Sequence, residues 1–218
     1  MKKVLIVGPN YFNFLSAIGK AFEELGWSAE VCHYDNPIHP YTTWMKWKYK
    51  VCRDKETLQQ KSRAQFNTLL LQRFEQSRPS LVFILNGDII ETSTLDSFRR
   101  KAKVALWFFD SRLKLAASLR HVDHVDALFC FEQDDVDWYR LQGKQAYFLP
   151  QACDTRVYHP IEHVQKDIDI LFVGNLFYSP RRQRLIEKVI EAFPDKSIKV
   201  FGIYRPWYKG LVKWLTMR

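Results

Sequence analysis

The sequence predicts an α/β fold in which a parallel sheet is covered by helices on both faces. Three observations carry that expectation. Short apolar runs without polar alternation recur along the chain, stretches with helical spacing separate them, and most runs end at Gly, Asn, Asp or Pro. With 218 residues, 47% of them apolar and 26% charged, the chain has ordinary globular composition and enough length to bury a core.

The elements follow in order. A strand is expected over 3–7, with Gly8-Pro9-Asn10 forbidding its continuation. Phe14, Ile18, Phe22 and Leu25 recur at helical spacing, and Gly26 supplies the stop. Further strands are expected over 29–33, 81–85, 104–109, 127–131 and 146–149. Between them lie a long helix over 58–76 closed by Arg78-Pro79, a short one over 94–101, and one opened by Asp134-Asp135 and closed at Gly143. Residues 151–167, without periodicity and holding Pro160, read as a linker from a first domain over 1–150. The pattern then restarts with a strand over 168–173, a Gly174-Asn175 turn, a helix over 182–193 and a strand over 198–201. A single βαβ unit cannot bury both its faces, so 168–218 is expected to be an incomplete second domain.

The net charge of +9 is local: residues 44–63 carry +5 and 178–218 carry +7, while the rest is slightly acidic. Two surfaces are therefore expected to meet something anionic. No nucleic-acid motif is present, so a nucleic-acid partner is not expected. No apolar run reaches the ~18 residues of a membrane span, and the expected location is cytoplasmic. Residues 43–53 place Trp44, Trp47 and Val51 on one helical stripe, with Lys46, Lys50 and Arg53 elsewhere. That segment either lies on an anionic membrane surface or packs its tryptophans into the domain. Cys32, Cys52, Cys130 and Cys153 show no paired spacing, which argues against a disulfide framework. His121 and His124 lack a third ligand at metal-like spacing and read as a solvated helix or turn feature, so no metal is expected.

The segments Asp169-Ile-Leu-Phe-Val-Gly-Asn-Leu with Arg181-Arg182, Phe148-Leu-Pro-Gln-Ala-Cys-Asp154 and Val157-Tyr158-His-Pro160 resemble CgeB-like glycosyltransferases, the spore-maturation-protein type. Trp107-Phe-Phe-Asp110 and Cys130-Phe-Glu-Gln-Asp134 resemble the N-terminal half of the same family. The resemblance implies a GT-B enzyme: two Rossmann-like domains facing a cleft, the acceptor on the first and a nucleotide-sugar donor mainly on the second. It also implies a departure, since no later donor-site glutamate helix is present. An N-terminal domain plus the opening of a donor domain is therefore expected, inactive alone or completed by a partner chain.

Ligands in open α/β sheets bind beyond the carboxyl ends of the strands, which directs attention to the loops there. Asp88 and Asp110 each end a strand, as a catalytic base or as a helix cap; the resemblance favours Asp110 as the base. His33 and His39 are the other bases available. Gly8, Asn10 and Asn86 are expected to line the acceptor cleft. Gly174 and Asn175, followed by Arg181 and Arg182, form either a diphosphate grip or a tight turn with a solvated basic helix. The function expected is sugar transfer from a nucleotide sugar to a saccharide, lipid-linked or protein acceptor, without cofactor. The alternative is a non-catalytic acceptor-binding or scaffold subunit.

Overall fold

The computed structural model of the chain describes residues 1–9, 11, 13–34, 55–115, 118–174, 176 and 179–202. The expected helix over 43–53, with Trp44, Lys46, Trp47 and Lys50, lies outside the described residues, as do Asn10, His39, Cys52 and Asn175.

Six strands form one sheet: β1 (Lys3–Pro9), β2 (Ser28–Tyr34), β3 (Leu81–Leu85), β4 (Lys103–Phe108), β5 (Ala127–Cys130) and β6 (Ala146–Phe148). Their order is β2-β1-β3-β4-β5-β6, and every neighbouring pair is parallel. Four helices complete this unit: α1 (Phe14–Glu24), α2 (Lys55–Ser77), α3 (Thr92–Arg99) and α4 (Gln133–Leu141). Successive strand residues point to opposite faces, and both faces are apolar. Leu5, Val7, Val82, Ile84, Leu106 and Phe108 pack with helical residues Phe66, Leu70, Phe98 and Val136. Val4, Ile6, Phe83 and Leu85 pack with Leu15, Ile18 and Phe22 of α1 on the other face. The sheet is thus doubly wound, as the unalternating strands require.

Two local details show why the elements take these bounds. In α2 the buried positions Leu58, Ser62, Phe66, Leu70 and Phe74 recur every fourth residue, one stripe along a 23-residue helix. At the end of α1, Trp27 N–H bonds Phe22 O and Gly26 N–H bonds Glu23 O, with Gly26 at φ +80°. Glycine adopts that left-handed conformation without a Cβ penalty, and the Trp27 ring closes on Phe22 at 5.8 Å.

One expectation is corrected here. Gly8-Pro9 does not stop β1, which runs through both residues, with Pro9 opposite Tyr34. Proline fits extended backbone, and at the last strand position its missing N–H costs little of the ladder.

Two compact units divide the chain, residues 1–157 and residues 158–218. The start of the expected linker is tied to the first unit. Trp107 Nε1–H donates to Leu149 O at 3.0 Å, and Gln151 Nε2–H to Phe109 O at 2.6 Å. Arg156 reaches Glu24 at 2.7 Å and Ala17 O at 3.3 Å on α1. The second unit contains β7 (Ile170–Val173), α5 (Pro180–Ala192) and β8 (Ile198–Phe201), with β7 and β8 forming a parallel sheet of their own. Among the described residues no helix is long and apolar enough to cross a membrane.

Candidate functional site

Strand order reverses at β1 and β3: the chain leaves β1 towards β2 on one side and β3 towards β4 on the other. In open α/β sheets ligands bind outside the carboxyl ends of the strands at such a junction. The loop leaving β3, Asn86-Gly87-Asp88-Ile89-Ile90, stands there. Asn86 and Gly87 both take left-handed backbone, φ 55° and 78°. Asparagine tolerates this better than other side chains that carry a Cβ, and glycine adopts it freely.

Side chains from three surrounding segments, and the backbone of a fourth, fix this loop. From β2, the buried Tyr34 hydroxyl donates to Leu85 O at 3.4 Å, and its oxygen receives backbone N–H groups of Asp88 and Gly87. Burial, with the Asp88 charge nearby, pushes that phenol well above its usual range. From α2, the buried Asn67 donates to Ile89 O at 3.0 Å, while its Oδ1 accepts Glu91 N–H at 2.9 Å and the Thr94 hydroxyl at 2.8 Å. The segment after β4 enters a 3₁₀ turn over Leu119–His124; just before it, the buried Ser118 hydroxyl donates to Asp88 Oδ1 at 2.7 Å. Within the turn, His121 Nε2 lies 2.8 Å from Ile90 O. A carbonyl only accepts, so Nε2 carries the proton and Nδ1 is left as a bare acceptor; it has no hydrogen-bond partner among the described residues. A Cβ on Gly87 would come within 3.4 Å of that nitrogen. Burial pulls His121 down to about 4, against the opposing pull of its bond to Ile90 O. The ring is neutral at pH 7. From the end of β4, Phe109 N–H donates to Asn86 Oδ1 at 3.4 Å, and Asn86 N–H to Trp107 O at 3.0 Å.

The reading of His121 and His124 as a solvated helix or turn feature is therefore overturned for His121, which is 1% exposed. Tyr34, Asn67 and Ser118 were not picked out from the sequence at all. An aromatic at a strand end and an Asn beside a helical stripe are weak signals when read singly.

The two strand-end aspartates have different surroundings. Neither caps a helix: the N-cap of α3 is Glu91, and the short 3₁₀ segment after Asp110 is capped by Ser111. Asp88 is half-buried, with Oδ1 held by Ser118. Asp110 forms a surface pair with Lys114 at 3.2 Å, four residues on. Its loop is anchored next door, where Arg112 pairs at 2.9 Å with the buried Asp135 and lies over the Trp138 ring. Gly8 is buried at the end of β1, and a Cβ there would meet Leu85 Cβ at 2.7 Å. Packing against β3 therefore accounts for this glycine. Asn86, 5% exposed, spends its side-chain oxygen on Phe109 N–H. His33 is exposed on β2. Gly8, Asn86, Asp88 and Asp110 are thus all at carboxyl ends of the first sheet.

Gly174, Arg181 and Arg182 belong to the second unit. Gly174 follows β7 and its N–H donates to Phe201 O at 2.8 Å. Ser179 caps α5 by accepting Arg182 N–H at 3.3 Å, and Pro180 occupies the first turn, where its missing N–H costs nothing. Arg181 and Arg182 are exposed at this helix start. Among the described residues no three His, Cys, Asp or Glu side chains group to hold a metal.

No family model matches the chain, and no curated protein matches it. Solved structures do. UDP-GlcNAc 2-epimerase from Methanocaldococcus jannaschii aligns over 94% of this chain and 66% of its own, at 13% identity and a TM-score of 0.61. Arabidopsis thaliana UGT89C1, complexed with UDP-L-rhamnose, aligns over 91% of this chain and 64% of its own, at 8% identity and a TM-score of 0.51. The lipopolysaccharide outer core galactosyltransferase WaaB aligns over 91% and 59%, at 13% identity and a TM-score of 0.50. The chain spans less than two thirds of the length of these three structures. At these identities the likeness concerns fold alone, and the chain shares the Rossmann-like α/β fold of these structures.

Proposed function

We propose that this chain takes part in glycosyl transfer from a nucleotide sugar, in the manner of the CgeB-like enzymes its sequence resembles. One observation carries the reading. Buried side chains from β2, α2 and the segment after β4 converge on the loop at the strand-order reversal, and among the described residues they leave Asp88 Oδ2 without a hydrogen bond. Rigid placement of a carboxylate at that junction is what a proton acceptor needs. In the reaction, an acceptor hydroxyl loses its proton to Asp88 as its oxygen bonds the anomeric carbon. The bond from that carbon to the diphosphate breaks, and its electron pair leaves with the diphosphate. Arg181 and Arg182, with Gly174 and Asn175, are assigned to the diphosphate, whose developing charge guanidinium groups stabilise without a metal. Asp110, paired with Lys114, is assigned a supporting place at the rim of the cleft with Gly8, Asn10 and Asn86. The acceptor is a saccharide, free, lipid-linked or on protein. Trp44, Lys46, Trp47 and Lys50 are assigned to a membrane surface, which suits a lipid-linked acceptor. The location is cytoplasmic, and a partner chain supplying further donor-side structure is part of the proposal.

The likeness to an epimerase supplies the second reading, conversion of a nucleotide sugar without any acceptor. Saturation-transfer NMR with UDP-glucose and UDP-GlcNAc separates the two. Contact with the nucleotide and no conversion supports transfer. UDP-GlcNAc turning into its 2-epimer favours the second reading, and contact with neither nucleotide sugar sinks both.

A further inference from the structure

The structure assigns Ser118 as the positioning residue of Asp88, an inference that rests on reading Asp88 as the proton acceptor of transfer. Ser118 is fully buried, and its main chain is pinned on both sides: its N–H bonds Leu115 O, and its carbonyl receives His121 N–H. The hydroxyl is thereby delivered to one place, 2.7 Å from Asp88 Oδ1 across thirty residues of sequence. A serine hydroxyl that donates to one carboxylate oxygen fixes the rotamer of the whole group and leaves the other oxygen to take a proton. The loop itself has independent supports. Arg120 and His121 hold Ile90 O, Asn67 holds Ile89 O, and Tyr34 holds the Gly87–Asp88 backbone. Ser118 alone is bonded to the Asp88 carboxylate among the described residues. Removing its hydroxyl should therefore free the carboxylate and spare the loop. Asp110 has no such device, since its partner Lys114 is exposed and on a flexible stem.

The test is solution NMR on the whole 218-residue chain, reading the Asp88 side-chain rotamer from three-bond couplings and loop order from amide relaxation. In the parent chain one χ1 rotamer is expected. Ser118→Ala should average it over two or three rotamers with amide order at 86–90 unchanged, and Ser118→Thr, which keeps the hydroxyl, should restore the single rotamer. A single rotamer persisting in Ser118→Ala overturns the assignment. So does simultaneous loss of amide order across the loop, because Ser118 would then be only a structural support. Should Ser118→Ala fail to fold, an averaged rotamer in the parent chain overturns the assignment, and a single rotamer retained with Ser118→Thr but lost with Ser118→Cys upholds it. The rotamers are read without ligand, so failure of nucleotide-sugar binding would remove the proposed function and leave this result standing.

Discussion

His121 shows how a residue invisible as such in sequence comes to govern part of the stability. In the string Leu-Arg-His-Val-Asp-His nothing marks one histidine as buried, because burial depends on β3 and α3 closing over it. Its neutral state has a measurable consequence. Folded, the ring titrates near about 4; unfolded, near 6.5. As pH falls from 7 the unfolded chain takes up this proton first, so stability present above pH 6.5 is lost progressively down to about pH 4. The full difference is on the order of 3 kcal/mol. The charged groups around the ring are Asp88 from the β3 loop, with Arg120 and His124 from its own turn. Urea unfolding of the parent and of His121→Gln at pH 7, 5.5 and 4.5 checks the sign. The two stabilities should converge as pH falls, and parallel curves would contradict it. Asp88 and Asp110 were legible as strand-end carboxylates, and only the family resemblance set Asp110 ahead. Their difference lies in Ser118 and Lys114, one reached only through the fold.

At the scale of elements, the strands and helices were legible because burial on both faces leaves unbroken apolar runs, and helices leave their spacing. Most ends shifted by one to three residues, and the one at Pro9 was misplaced because proline was treated as a stop where an extended last residue suits it. What joins the elements was less legible. Asn67 sits beside the buried stripe of α2 and bonds the β3 loop and the start of α3 together through three contacts. Replacing it with alanine leaves Ile89 O and the Thr94 hydroxyl short of a partner in a buried setting, and Glu91 N–H in a part-buried one. Each such loss costs roughly 1–3 kcal/mol and the sum is less than additive, so about 3 kcal/mol is expected for Asn67→Ala. Denaturant unfolding monitored by circular dichroism measures it. A loss below about 1 kcal/mol would mean that water replaces these bonds and that α2 and α3 hold together by packing alone.

Across the whole molecule, the two units differ in how much they bury. The first has apolar cores on both sheet faces, with Leu5, Ile6, Phe66, Ile84 and Phe98 fully enclosed. In the second, Leu176 is the one buried residue among those described, and Leu171, Val173, Leu185 and Phe201 are exposed. Local stability follows buried contact, so amides of β7, α5 and β8 should exchange with solvent much faster than those of β1, β3 and β4. Equal protection in a hydrogen-exchange experiment would show that the second unit is as well buttressed as the first. The break of the apolar pattern at Pro150 and its restart near residue 168 were legible. The ties from Leu149, Gln151 and Arg156 back to the first unit were not, since each pairs residues far apart in sequence.

The central claim is that this fold serves a nucleotide sugar, gripped at the start of α5. Isothermal titration calorimetry with UDP on the whole chain, and on the Arg181→Ala/Arg182→Ala double variant, tests it most directly. Charge-assisted contacts from exposed guanidinium groups, set against the cost of immobilising the ligand, give a dissociation constant of roughly millimolar. Binding of that order, lost in the double variant, is the predicted result. An absence of binding, or micromolar binding that the double variant leaves unchanged, would contradict the account.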